Sequence, residues 1–130
     1  MPFDTCKKSV EQIDGVWPEP DDEATSVMRA VYRLRQLPIR ELDPEGLRML
    51  VAQRVSLTLI LPRVFVVLDE DPLVTGDFYA GDLLVATLRA ADQLGLGERE
   101  RLRDVVRRLR DRRCDPVPAE VWELADDLGG

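Results

Sequence analysis

Apolar residues recur at helical spacing along most of this chain, and the gaps between such stretches fall on proline, glycine and acidic residues. Val27, Ala30, Val31 and Leu34 stand at i, i+3, i+4 and i+7. That spacing predicts an amphipathic helix over 25–36, with Arg29, Arg33 and Arg35 mostly off the apolar stripe and Pro38 ending it. Asp43-Pro44-Glu45 is a strong helix start, since Asp43 can cap free backbone amides and proline suits the first helical position. The helix it opens runs to about Arg54 and buries Leu47, Leu50 and Val51. In 56–68 the apolar residues go nearly all round a helix. Val64–Leu68 is β-branched enough to read as a buried strand. The run exceeds ten residues, however, and no similar segment exists to pair with it. A helix is therefore expected there, as the central and most buried element, with Pro62 kinking it or opening a new one. Asp69-Glu70-Asp71-Pro72 stops it. Residues 73–81 read as a loop, 82–92 as a helix, and 98–112 as another, with Leu102, Val105, Val106 and Leu109 in one stripe. Asp115-Pro116-Val117-Pro118 reads as a rigid turn before a short helix over 119–128.

Residues 1–23 are polar and contain Pro2, Gly15, Pro18 and Pro20. They predict an extended lead-in rather than a helix, with Ile13, Val16 and Trp17 docking on the core. The expectation is an all-α fold: a compact bundle of about five to six helices, one domain over 1–130, with an irregular N-terminal segment over 1–23. At 130 residues the chain has room for one core and little room for two.

Charge changes the picture of what such a bundle meets. The formal net charge is −7. Residues 98–113 carry eight arginines against four acids, so the remainder stands at −11. An acidic body repels nucleic acid and anionic lipid and attracts basic partners, although acidity also serves plain solubility. The Arg-rich segment reads as a solvated face laced with near-neighbour pairs, Glu100 with Arg103 and Asp104 with Arg108. The longest apolar stretch, 55–68, is too short and too interrupted to span a bilayer. Met1–Gln12 is largely polar, so no secretory signal is expected. Cys6 and Cys114 are expected to be free thiols. These readings together point to the cytoplasm.

Candidate chemistry is narrow. The chain has no histidine. That removes Ser-His and Cys-His nucleophile pairs and the commonest transition-metal ligand. Two distant cysteines make no zinc site, and neither phosphate-loop nor dinucleotide fingerprint occurs. Gly95-Leu96-Gly97 is a lone G-x-G between helices. The carboxylates Asp69, Glu70, Asp71 and Asp77 are the one set close enough for magnesium or glycosidase chemistry. Acids around a Pro-Gly loop are more often solvated or capping, so no catalysis, metal or cofactor is expected. Among the aromatics, Phe78 is expected to pin its loop to the core.

The stretch Arg29–Pro38, then Glu41–Gln53, and above all D-P-L-V-T-G-D-F-Y-A-G-D-L-L over Asp71–Leu84, resembles the small immunity proteins of bacterial contact-dependent growth inhibition systems. The resemblance covers roughly Ser9 to Ala91. The family pattern often has proline where this chain has Ala80, and nothing after about Asp92 matches. The resemblance implies a non-enzymatic protein. It would bind the toxic C-terminal domain delivered by a neighbouring cell, often a nuclease with a basic surface, and neutralise it in the cytoplasm. The expected partner is that toxin domain, with no nucleic acid, membrane or small-molecule substrate; a helical adaptor of another system is the alternative. Within the motif, Gly76 and Gly81 permit turns and Asp77 or Asp82 caps the following helix. As a recognition element it is an acidic and aromatic loop. The framework reading weighs more, because recognition must differ between toxins. The candidate toxin-binding residues are Glu19, Asp21, Asp22 and Glu23, followed by Asp69, Glu70, Asp71, Asp77 and Tyr79.

Overall fold

The computed structural model describes residues 7–112 and 117–128. Seven α-helices run through them: α1 Val10–Asp14, α2 Ser26–Leu34, α3 Pro44–Ala52, α4 Leu57–Glu70, α5 Asp82–Arg89, α6 Leu96–Arg112 and α7 Ala119–Asp126. Short 3₁₀ turns stand at Ile39–Glu41 and Ala91–Gln93. The all-α expectation holds, and the ambiguous run around Val64 is helical. No helix among the described residues is long and apolar enough to cross a membrane. Cys6, Cys114 and the first half of the turn expected at 115–118 lie outside the described residues.

The helix starts follow local chemistry. Thr25 accepts from the Met28 amide and Asp43 from the Gly46 amide at 2.7 Å, with Pro44 in the first turn of α3. Pro62 lies inside a continuous α4. Both it and Thr58, whose carbonyl its missing N–H would have met, are exposed, so water can take the vacated bond.

Two expectations are corrected. The segment before Glu23 is not wholly irregular. Ser9 accepts from the Gln12 amide while the Gln12 side chain accepts from the Ser9 amide, and this capping box starts α1. The centre of the fold is α5, not α4. Every residue of α5 from Asp82 to Leu88 is buried, and the helix packs chiefly between α3 and α7. Alanine and threonine at positions 86 and 87 keep it slim, and the Thr87 hydroxyl donates to the Leu83 carbonyl, which satisfies it in the core. The longer α4 packs on α3 and α6 with one side only, leaving Val66 46% exposed.

The apolar stripe of α6 buries Leu102, Val105, Val106 and Leu109 as expected. Its arginines do not pair as the spacing suggested. Arg108 reaches Asp69 at 2.6 Å and Arg101 the same carboxylate at 3.1 Å, tying α6 to the end of α4. Arg103 donates to the Leu128 carbonyl beyond α7, Arg99 donates to the Ala91 carbonyl, and Arg110 lies over the Trp122 ring of α7. Long-range partners win because a guanidinium on a six-bond stem outreaches its own helix turn. Asp104 pairs instead with Arg107 at 2.8 Å.

Leu84→Ala, at a fully buried position of α5, should cost about 2–5 kcal/mol in urea denaturation. Val66→Ala on the longer α4 should cost under about 0.5 kcal/mol. Comparable losses at both positions would contradict the central placement of α5.

Candidate functional site

Two exposed features stand out from this scaffold: the loop between α4 and α5, and a groove between α2 and the chain leading into it. The loop is built around two carboxylates. Asp71 accepts from the Leu73 amide as the chain leaves α4, and buried Pro72 and Leu73 anchor that corner. Thr75 and Ala80 bridge across the loop, and the Gly81 amide donates back to the Leu73 and Val74 carbonyls. Inside, Asp82 is only 3% exposed. It accepts from the amides of Gly76 at 2.7 Å and Phe78 at 3.1 Å, with Tyr79 at 3.5 Å. Glu45, projecting from the first turn of α3, accepts from the Asp77 amide at 2.9 Å and from Arg48 Nε at 2.6 Å. Four successive amides, 76 to 79, thus turn toward two acids from two different helices. A Cβ at position 76 would stand 2.7 Å from Glu45 Oε1 and 2.8 Å from Asp82 Oδ2, so any other residue must push these carboxylates aside.

This arrangement corrects the reading of the motif. Neither Asp77 nor Asp82 caps α5. Gly81 is the N-cap and offers no side chain, while Asp82 folds back onto the loop. Nor does Phe78 pin the loop to the core. It is 68% exposed, with the Arg48 guanidinium 4.5 Å from its ring centroid. The reason is geometric: once the amides face inward, the Phe78 and Tyr79 side chains face out. The hydrogen bond from Arg48, then the Asp77 amide, hold the Glu45 carboxyl below its ordinary range against the opposing effect of burial. The same contact raises Arg48.

The groove depends on a buried arginine. Arg35 was expected on the solvent side of α2. It instead follows the last turn, 2% exposed, and ranks among the largest fully buried side chains. Its guanidinium donates to the Gly15 carbonyl at 2.9 Å and stacks 3.9 Å from the centroid of Trp17. Burial lowers its pKa and nearby Asp14 and Glu11 raise it. Gly15 takes a φ of +105°, which turns the chain out of α1 and aims that carbonyl at Arg35. Residues 15–24 therefore run beside α2 as a strap, tied to it at Gly15, Trp17 and Asp21. Trp17, Pro18 and Pro20 on the strap face Val27, Met28 and Tyr32 on α2 across a groove of about 290 Å³. Trp17 and Met28 remain 43% and 56% exposed. Ile13 packs against the core as expected, but Val16 stands out in solvent.

The predicted site residues divide accordingly. Glu19, Asp21, Asp22 and Glu23 are all exposed on the strap. Asp21 accepts from the Glu23 amide at 3.0 Å and its carbonyl accepts from Arg29. Asp77 and Tyr79 are exposed on the loop. Glu70 and Asp71 are exposed at the end of α4, and Asp69 shares its charge with Arg101 and Arg108, which hold its pKa down. Among the described residues no group of three or more His, Cys, Asp or Glu is placed to hold a metal ion. The apolar groove was missed. Its one sequence signal was Val16-Trp17 amid prolines and acids, where a tryptophan has little reason to sit unless something covers it.

What the geometry defines is an all-α protein that carries a clamped aromatic loop and an acid-flanked apolar groove. The family follows from comparison with known proteins. The chain belongs to the CDI immunity proteins, whose family model matches residues 11–105. The match reaches from α1 into α6, past the end of the resemblance read from the motifs. No curated protein matches the chain.

Gly76→Ala should cost about 1–3 kcal/mol in chemical denaturation, because it pushes two carboxylates off the amides they satisfy. Glu45 has a folded-state pKa below the ordinary carboxyl value of 4.5, so its contribution is present above that value and is lost as pH falls through the depressed one. Thermal melts from roughly pH 5 to pH 3 should therefore fall less steeply for Glu45→Gln than for the parent. Equal slopes would remove Glu45 from the acid response.

Proposed function

We propose that this protein neutralises the toxin domain encoded with it by binding that domain as a non-enzymatic partner in the cytoplasm. The observation that carries the reading is the family match over residues 11–105. The charge distribution supports it. The chain carries a net charge of −7, and several arginines of α6 are engaged within the fold at Asp69, Asp104, Ala91, Leu128 and Trp122. The strap and the loop remain as outward acidic and aromatic features. A surface of this kind steers toward a basic one, and a nuclease domain, which must hold a polyanion, presents a basic surface. The toxin is accordingly proposed to be a nuclease. The contact residues proposed are Glu19, Asp21, Asp22 and Glu23, with Asp77 and Tyr79 on the loop.

Co-expression of the protein with the toxin domain from the neighbouring gene should restore growth, and the two should co-purify as a one-to-one complex. Its affinity should fall at least about tenfold between low salt and 0.5 M salt, where the Debye length shrinks below the spacing of the charges involved. Unrelieved toxicity with no complex would overturn the proposal.

A further inference from the structure

Resting on that reading, we infer that the groove between the strap and α2 is the centre of the toxin contact. Its occupant is a cationic segment of the toxin domain that inserts an aromatic or long aliphatic side chain between Trp17 and Met28. Three observations on independent footings lead there.

The first is exposure. Val16, Trp17, Val27 and Met28 are all large, apolar and exposed, and three of them line one groove. A contiguous apolar patch with a polar rim marks a contact surface, and tryptophan and methionine are enriched in such surfaces. At about 290 Å³ the groove suits one or two side chains and lies at the small end of ligand pockets, which span roughly 300–1,000 Å³.

The second is that the groove is held open in advance. The Arg35 guanidinium is fixed by the Gly15 carbonyl and supports one face of Trp17, the Arg29 side chain ties the Asp21 carbonyl to α2, and Pro18 and Pro20 stiffen the strap between them. A binding wall already ordered loses little freedom when it is covered. The burial of Arg35 also has its explanation here, since its contacts run to the strap.

The third is charge, and it selects the occupant. Residues 16–28 contain four acids, and the base that follows them, Arg29, is turned to the Asp21 carbonyl rather than to a carboxylate. Elsewhere acids meet arginines within the fold: Glu45 with Arg48, Asp69 with Arg101 and Arg108, Glu120 with Arg89. A partner closing over the groove must supply lysine or arginine to the rim, or leave carboxylates desolvated and unpaired. A second copy of this chain would bring the same acids against themselves, which disfavours self-association through this face.

The test uses the full chain and the toxin domain encoded beside it, catalytically inactivated, in calorimetry and stopped-flow binding. Met28→Lys places a cation in the groove at an exposed position, and Val66→Lys makes the same change on exposed α4 as a control. A third variant neutralises the rim: Glu19→Gln, Asp21→Asn, Asp22→Asn and Glu23→Gln together, with asparagine keeping the acceptor for the Glu23 amide. Circular dichroism checks that each folds. Met28→Lys should weaken binding at least about thirtyfold and Val66→Lys less than about threefold. The neutralised rim should slow association about tenfold and flatten its salt dependence. If the parent binds and Met28→Lys binds equally well, this inference is overturned while the proposed function stands. If the parent does not bind the toxin domain, both fall. A parent dimer that Met28→Lys converts to monomer would make the groove a self-interface and also overturn the inference.

Discussion

The constraint on which the exposed loop depends is the buried carboxylate of Asp82. An ionisable group at the start of the most buried helix is costly unless its oxygens are hydrogen-bonded. Here the amides of the α4–α5 loop supply those bonds. The exchange works in both directions: the loop satisfies the acid, and the acid gives a glycine-containing loop one conformation. Glu45 adds a second clamp from α3, so the loop registers the packing of α3 against α5. Loosening that helix pair would release the loop, and the outward aromatics would lose their fixed placement.

Arginine serves in this protein as a long-range connector. Two guanidinium groups converge on Asp69 to join α6 to α4, another reaches the end of the described chain beyond α7, and one lies buried under the strap. The planar fork lets one side chain bond a carbonyl and stack on a ring together, as Arg35 does with Gly15 and Trp17. In a chain with 16 arginines and two lysines, this use turns a basic helix into a fastener. The exposed ion pairs add little stability singly; their role is to fix which elements lie beside which.

The loop and the strap use their residues in different ways. The loop motif spends its backbone on internal bonds, while the strap motif keeps its acids outward and its tryptophan half exposed. Both sit on the same scaffold because α2 and α3 pack together and carry, respectively, one wall of the groove and the glutamate of the clamp.

The sequence by itself determined the helices from α2 onward and their order, but not α1, which the prolines and acids around it concealed. The cap at Asp43, stops at Pro38 and Pro72, and the stripes of α3 and α6 act within a turn or two of the chain, so they can be read along it. The motif over Asp71–Leu84 likewise pointed to the family whose model matches residues 11–105. Only the tertiary structure decided which helix is central, where Arg35 and Phe78 point, and which amides Asp82 and Glu45 satisfy. Those outcomes join residues such as 45 and 77, or 15 and 35, that are separated along the chain. Periodicity says which face of a helix is apolar, but not which neighbour covers it. Val27 and Met28 stand on a helix like any other and stay exposed because what lies opposite them is a strap with a gap beneath it, not another helix.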